Sequence, residues 1–348
     1  MTDCSSTSID VTMIPIDVNS ESSMDNFFEN YHTIALETLD ECIMADIDKI
    51  EISDKLYCLD KKRSTIFVFD KDGHFIDKID RKGSGPDEYF DIADFSVDNS
   101  NIYILSRVGR KINVYSKETK FIKSFALNDF YDYMYISYEN AYLHSNYSNN
   151  TKHNVAVFNF EKKLIINNFL PFKVNQSFSF LPTPFNESLN GDLLMTQQYD
   201  YNIYKLHVDS INVIYRIEFN TKYQIPDNFQ EIGFEKIYQK LAQKSVVTRI
   251  DYVTQSAEYL YIIYKLNGLN KISKIDKTRM SVISLNLEYN DQLPFVFSNP
   301  LGFYNDCLVG YLPAYAVLMF DKKFISDKTK NGLLGESDNP VLFFHKLK

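Results

Sequence analysis

The sequence KLYCLD (Lys55–Asp60) returns as NIYILS (Asn101–Ser106), and IFVFDKDGHFI (Ile66–Ile76) returns as INVYSKETKFI (Ile112–Ile122), both 46 residues later and without a gap. The matching positions are mostly apolar and belong to short runs with the pattern of β-strands. A period near 45 residues that is built from such runs is typical of a propeller blade, a four-stranded antiparallel sheet that packs against its neighbours.

The composition supports an all-β fold and argues against some kinds of protein. Among 348 residues there are 27 Phe, 25 Tyr and no Trp, and such aromatic residues favour a half-buried pleated sheet. The net charge of −9 argues against general nucleic-acid binding, and no apolar run approaches the length of a membrane span. We therefore predict an all-β, six-bladed β-propeller with four-stranded antiparallel blades, folded as one domain over residues 9–348 after a flexible tether at residues 1–8.

The last of the six repeat units lacks a strand. After Leu301–Asn305 and Cys307–Leu312 it offers only Val341–Leu347, and the alternating segment Ile9–Val18 is predicted to supply the missing strand beside it. Such a closure by strands from both ends of the chain removes an open sheet edge. Short helical insertions are predicted at Asp227–Ala242 and Ala314–Leu334.

Two segments carry a resemblance to a known family. GSGPDEY (Gly83–Tyr89) resembles the G-x-G-P-G-E-Y segment of the uncharacterised six-bladed, NHL-like β-propeller lipoproteins of Bacteroides-type bacteria, with Asp87 where that family has glycine. DNPVL (Asp338–Leu342) resembles the C-terminal segment of the same family. The resemblance implies an extracytoplasmic propeller that is lipid-anchored to the cell envelope, and it brings no catalytic residues.

The lipid would be attached at Cys4, which is followed by the small polar residues Ser5–Ser8. This arrangement is typical of a bacterial lipoprotein cysteine after its signal has been removed. Met1–Asp3 is not a signal peptide. We therefore expect a signal that this sequence does not include, and a membrane contact only through the lipid.

Catalytic and metal-binding signatures are missing from the sequence. There is no H-E-x-x-H motif, no G-x-S-x-G elbow and no Walker loop, and the six histidines lack metal-ligand spacing. Asp70–Gly73 resembles the start of a calcium loop without its later ligands and is interpreted as a hairpin turn. We expect no cofactor and no metal, and a binding protein is favoured over an enzyme.

Three hypotheses for function remain open. The first is a monomeric binding or scaffold propeller of the cell envelope, which recognises a glycan, a peptide or a protein partner through one face. The second is an envelope hydrolase or lyase, whose active site at the channel mouth would need clustered acid and base residues. The third is a structural subunit of an envelope complex. We favour the first.

A basic face is predicted from strand direction. In an antiparallel blade, the loop between the second and third strands and the connection to the next blade emerge on the same side. In the first two units these loops carry eight cations, here called the basic face: Lys61, Lys62, Arg63, Arg81, Lys82, Arg107, Arg110 and Lys111. Glu88, Tyr89, Tyr147, Tyr199 and Tyr201 lie in matching loops and complete the candidate ligand-binding residues. Cations beside aromatic rings suit an anionic ligand such as an acidic or sulfated glycan.

Overall fold

A computed structural model describes residues 11–173, 182–225, 246–287, 299–319 and 334–348. The protein is an all-β, six-bladed β-propeller, and each blade is a sheet of at least four strands. The chain divides into two compact units: the larger spans Ser23–Thr183 and Asn286–Lys348, and the smaller contains Pro184–Leu285 with the N-terminal segment through Ser22. The prediction of one domain over residues 9–348 stays a prediction.

The strands follow one another in the order that the repeat predicts. The N-terminal strands are β1 (Thr12–Ile16) and β2 (Phe28–Ala35), with a 3-10 helix at Met24–Asn26 between them. Blade one contains β3 (Lys49–Ile52), β4 (Leu56–Asp60), β5 (Thr65–Phe69) and β6 (Phe75–Ile79). Blade two contains β7 (Asp94–Val97), β8 (Asn101–Ser106), β9 (Lys111–Ser116) and β10 (Phe121–Ala126). Blade three contains β11 (Tyr133–Ser137), β12 (Asn140–His144), β13 (His153–Asn159) and β14 (Leu164–Pro171).

The remaining strands form three further blades. Blade four contains β15 (Phe185–Glu187), β16 (Leu193–Met195), β17 (Asn202–Leu206) and β18 (Ile211–Phe219), followed by a 3-10 helix at Thr221–Tyr223. Blade five contains β19 (Ile250–Gln255), β20 (Tyr259–Leu266), β21 (Leu269–Asp276) and β22 (Val282–Asn286). Blade six contains β23 (Pro300–Tyr304), β24 (Cys307–Leu312) and β25 (Val341–Leu347), with the short helix α1 (Ala314–Leu318) after β24.

Blade six joins the two ends of the chain, but its N-terminal strand is not the predicted one. β2 pairs antiparallel with β25, so that Ile34 lies opposite Leu342. The predicted donor, Ile9–Val18, instead contributes β1, which adds to blade four as a fifth strand parallel to β18. The alternation of Ile14 and Ile16 is real, since both side chains are buried, but they pack in the core of the smaller unit.

Of the two predicted helices, one lies outside the described residues and the other is described in part. Asp227–Ala242 lies outside the described residues. Of Ala314–Leu334, the described part contains α1, which covers only the first five residues. Within the described parts of the chain, no helix has the length and apolar character that crossing a membrane requires.

Apolar side chains from neighbouring blades pack together in the larger unit. One core cluster joins Tyr57 and Ile66 of blade one with Ile102 and Tyr115 of blade two. Full burial of such an aliphatic or aromatic side chain stabilises the fold by about 1.5–3 kcal/mol. The repeated positions are therefore the ones that hold adjacent blades together.

Polar groups on the first strands fix successive blades against each other. The Lys49 ammonium of blade one lies 2.8 Å from a carboxylate oxygen of Asp94 in blade two and donates to the Phe95 carbonyl at 2.7 Å. The other Asp94 oxygen accepts from the Met134 N–H of blade three at 2.8 Å. Because these groups are buried and paired, blades one to three form a rigid base for the loops above them.

Candidate functional site

The basic face begins with two turns that have the same geometry. The turn between β4 and β5 and the turn between β8 and β9 occupy the same position in the repeat. Asp60 accepts from the Arg63 N–H at 3.0 Å, and the Ser106 hydroxyl accepts from the Gly109 N–H at 3.1 Å. Short polar side chains of this kind stabilise turns. As a result both turns present their cations on the same edge of adjacent blades.

The connection from blade one to blade two lies against these turns. Its two ends are held together because the Gly83 N–H donates to the Tyr89 carbonyl at 2.9 Å and the Tyr89 N–H donates to the Arg81 carbonyl at 3.0 Å. Glu88 is half-buried, and its carboxylate accepts from the Gly85 N–H at 2.7 Å. Lys111 of β9 donates to the Glu88 carbonyl at 2.6 Å, which ties the connection to blade two.

Half of the cations on the basic face are paired with carboxylates. The ion pairs are Lys62 with Asp46 at 3.6 Å, Arg63 with Asp60 at 3.7 Å, Arg81 with Asp87 at 2.7 Å and Arg107 with Asp132 at 2.7 Å. No ion pair within the described residues involves Lys61, Lys82 or Arg110, and all three side chains are exposed. These three side chains can therefore meet an anion without first breaking a salt bridge, although the Lys61 ammonium lies 5.9 Å from the centre of the Tyr133 ring and interacts electrostatically with Asp48 and Asp132.

Aromatic rings support some of these cations. The guanidinium groups of Arg107 and Arg110 lie 5.3 Å and 5.6 Å from the centre of the Phe130 ring. Arg107 also donates to the Ser148 hydroxyl at 2.7 Å. Burial raises the pKa of Asp132, against the opposing effect of Arg107 and Lys61. Arg107 is thus a structural link between blades two and three, whereas Arg110 keeps its charge at the surface.

The four tyrosines of the candidate site are buried: Tyr89, Tyr147, Tyr199 and Tyr201. The Tyr89 hydroxyl accepts from the Arg81 N–H at 3.0 Å and lies within 3.0 Å of the Ser64 and Ile79 carbonyl oxygens. Tyr199 and Tyr201 belong to the smaller unit, whereas the cations belong to the larger one. Because these rings are buried, a sugar cannot stack on them as they stand in this structure. Their role in binding stays a prediction.

Sequence reasoning missed two exposed apolar residues beside the basic face. Phe90 is 50% exposed and Val108 is 64% exposed. Phe90 follows the buried Tyr89, and successive side chains of an extended chain point to opposite sides, so the exposure of Phe90 was available from the pattern once Tyr89 was placed in the core. Val108 lies at the centre of the turn between Arg107 and Arg110.

A group of metal-binding residue types lies at the β5–β6 hairpin. Ligand atoms of Asp70, Asp72 and His74 fall within 4.8 Å of one another. Asp70 accepts from the Asp72 N–H at 2.9 Å and from the His74 N–H at 2.8 Å, which is the bonding pattern of a turn. The hairpin interpretation of Asp70–Gly73 therefore accounts for the closeness of these three side chains.

The histidines and cysteines show no reactive arrangement in the described chain. His144 is fully buried, and burial lowers its pKa to about 3. Cys42, Cys58 and Cys307 are free thiols, and burial raises the pKa of Cys58 and Cys307. Cys4 lies outside the described residues, so its lipid attachment stays a prediction.

Comparisons with known proteins agree on the fold. The model of a family described as a domain of unknown function, DUF4934, matches residues 6–346. A crystal structure of a Bacteroides fragilis protein thought to be exported is 20% identical, covers 97% of this chain and 100% of its own, and has a TM-score of 0.77. No curated protein shows a significant sequence match to this chain.

Two further Bacteroides structures are similar at lower identity. A DUF4221 family member from Bacteroides vulgatus is 11% identical, with 92% of this chain and 97% of that chain covered and a TM-score of 0.56. A protein of unknown function from Bacteroides thetaiotaomicron is 10% identical, with 92% and 76% covered and a TM-score of 0.55. At these identities the likeness concerns the fold alone.

Proposed function

The chain belongs to the DUF4934 family, and from that premise we propose that it is a binding propeller of the cell envelope that recognises an anionic glycan through its basic face. The observation that carries this proposal is the set of three exposed cations that form no ion pair within the described residues, Lys61, Lys82 and Arg110, on one edge of adjacent blades. Because the chain has a net charge of −9, this group is a local concentration of positive charge on a protein that is negative as a whole. Carboxylate and sulfate groups are the natural partners of Arg and Lys at such a surface.

The rigidity of the surface also supports binding. Buried hydrogen bonds fix the connection through Tyr89, and Lys49 with Asp94 fixes the blades beneath it. Because the backbone of these loops is already fixed, binding has to order only the side chains of the cations. Loops on a rigid scaffold are also where binding sites are commonly found.

The test compares two triple variants with the same change in net charge. In the first, Lys61, Lys82 and Arg110 are replaced by Ala. In the control, Lys71, Lys120 and Lys162 are replaced by Ala; they are exposed and lie in the β5–β6, β9–β10 and β13–β14 turns, at the opposite edge of blades one, two and three. The probes are dextran sulfate and polygalacturonate, with binding measured by calorimetry over a range of salt concentrations.

We expect the first variant to bind roughly 3- to 100-fold more weakly than the parent, since exposed charge pairs each contribute about 0.2–1 kcal/mol. Its affinity should also depend less steeply on salt, because fewer counterions are released. The control should bind like the parent. No binding of either probe by the parent at low salt, or equal loss in both variants, would overturn the proposal.

We also propose an extracytoplasmic location with a lipid anchor at Cys4. The similar Bacteroides fragilis protein is thought to be exported, and Cys4 with its polar Ser5–Ser8 segment suits a lipoprotein. Stable anchoring needs more than one acyl chain, which a bacterial lipoprotein provides. Expressed with its own signal, the Cys4→Ala variant should move from the membrane to the soluble fraction. Retention in the membrane would contradict this anchor.

A further inference from the structure

Phe90 and Val108 are exposed apolar residues in two of the loops that carry the basic face. The residues before and after Phe90 explain why it is presented outward. Tyr89 is fully buried, and Asp91 accepts from the Ser106 hydroxyl at 2.7 Å and from the Val108 N–H at 3.0 Å. Phe90 therefore extends from a backbone that is fixed on both sides.

The Phe90 ring packs beside the β8–β9 turn where that turn has no side chain. A Cβ atom added to Gly109 would lie 3.4 Å from the Phe90 ring, so the glycine leaves space for the ring to rest against the turn. Val108 and Arg110 are the neighbours of Gly109 in this turn. The Phe90 ring of the blade connection thus lies beside Gly109, next to Arg110, whose guanidinium forms no ion pair within the described residues and lies 5.6 Å from the centre of the Phe130 ring.

We propose that Phe90 and Val108 form a sugar-stacking subsite, in which the C–H face of one sugar ring lies on Phe90 while its carboxylate or sulfate group is bound by Arg110. This inference rests on the proposed function and deepens it. The face of an aromatic ring carries partial negative charge and attracts the weakly positive C–H groups of a sugar. The phenyl ring supplies the exposed aromatic face that the four buried tyrosines do not.

The size of the patch favours a sugar ring over a protein surface. A stable protein interface involves about 20–30 residues on each side. Here the apolar area comes from two side chains, and the surrounding groups are charged. Neither Asp91 nor Glu88 forms an ion pair with Arg110: the Asp91 carboxylate accepts from the β8–β9 turn, and the Glu88 carboxylate accepts from the Gly85 N–H.

The experiment separates stacking from charge by using three polyanions on the full chain. Polygalacturonate and dextran sulfate contain sugar rings, whereas poly-L-glutamate carries carboxylates on a peptide backbone. The variants are Phe90→Ala, Phe90→Tyr and the control Tyr138→Ala, which removes a 96% exposed ring from the β11–β12 hairpin at the opposite edge of blade three. Circular dichroism and thermal melting verify that each variant is folded.

We expect Phe90→Ala to weaken binding of the two glycans about tenfold, with an unchanged salt dependence, because a ring face and no charge has been removed. Phe90→Tyr and Tyr138→Ala should bind glycans like the parent, and poly-L-glutamate should bind Phe90→Ala and the parent equally. This pattern would support the subsite.

Other outcomes would overturn the inference in distinguishable ways. If the glycans bind and Phe90→Ala has no effect, the proposed function stands and the stacking subsite does not exist. If Phe90→Ala weakens poly-L-glutamate as much as the glycans, the subsite takes an acidic peptide. If sedimentation shows a dimer of the parent that Phe90→Ala abolishes, the patch is an interface between copies of the chain. If the parent binds no polyanion, both proposals fall.

Discussion

Replacement of Tyr89 by Phe removes one hydroxyl group from the connection between blades one and two and leaves the ring in place. That hydroxyl accepts from the Arg81 N–H at 3.0 Å and lies 2.9 Å and 3.0 Å from the carbonyl oxygens of Ser64 and Ile79. The site is fully buried, so water cannot replace the lost bonds without a rearrangement. A buried polar group that loses its partner costs about 1–3 kcal/mol of the free energy of unfolding.

The assay is equilibrium unfolding in urea. With an m-value of about 3 kcal/mol/M, the loss lowers the unfolding midpoint by about 0.3–1 M. The matched control is Tyr138→Phe, which makes the same chemical change at an exposed side chain and should leave the midpoint unchanged. Equal midpoints for the two variants would refute the structural role of the Tyr89 hydroxyl. Glycan binding by folded Tyr89→Phe should match the parent, because the hydroxyl faces backbone groups.

Two further predictions concern a glycine and a histidine. Gly73→Ala should lower the unfolding free energy by about 3 kcal/mol or more, because Gly73 has φ +90° and the new Cβ would lie 2.4 Å from the Ala35 carbonyl oxygen. The control is Gly191→Ala, at φ +80° with no atom near the new Cβ. It should lower the unfolding free energy by only about 1–2 kcal/mol, through backbone strain. Similar losses in the two variants, measured in urea, would contradict this packing argument. His144 should destabilise the fold in acid: burial lowers its pKa to about 3, so between pH 6.5 and about 3 the unfolded chain binds a proton that the folded chain does not. The free energy of unfolding therefore falls as the pH is lowered through this range. His144→Gln should reduce the slope of unfolding free energy against pH by about 1.4 kcal/mol per pH unit. Parallel curves for parent and variant would show that the folded protein binds this proton as readily as the unfolded chain.

The blades with a clear repeat could be predicted from the sequence almost to the residue. The repeated run Asn101–Ser106 is β8 itself, and the run Lys55–Asp60 exceeds β4 by one residue. These strands are recognisable because nearly all of their side chains are buried, so that apolar residues recur at the same positions in successive blades. The strand that completes blade six was predicted wrongly, because alternation shows that a segment is a strand but not which strand it pairs with. Phe28–Ala35 is an outer strand with many half-exposed side chains, so its pattern is weak.

The candidate site was predictable in part for a similar reason. Strand direction alone indicates which loops share an edge, and contacts such as that of Lys111 with the Glu88 carbonyl bring those loops together. The direction of individual side chains was not predictable. Tyr89 and Phe90 are adjacent aromatic residues, and alternation places them on opposite sides, but only the structure shows which of the two lies in the core: Tyr89 hydrogen-bonds to backbone groups there, and Phe90 is exposed.

The pairing of β2 with β25 also sets an order of events during synthesis. β2 is among the first segments to leave the ribosome, and its partner, with Leu342 opposite Ile34, is among the last. At about 5–20 residues per second, the roughly 300 residues between β2 and β25 take about 15–60 s to make. Throughout that time the backbone groups on the pairing edge of β2 lack their native partners and are open to incorrect strand pairing. A nascent chain that is released short of Val341 carries that open edge permanently, so blade six closes only in chains that reach β25.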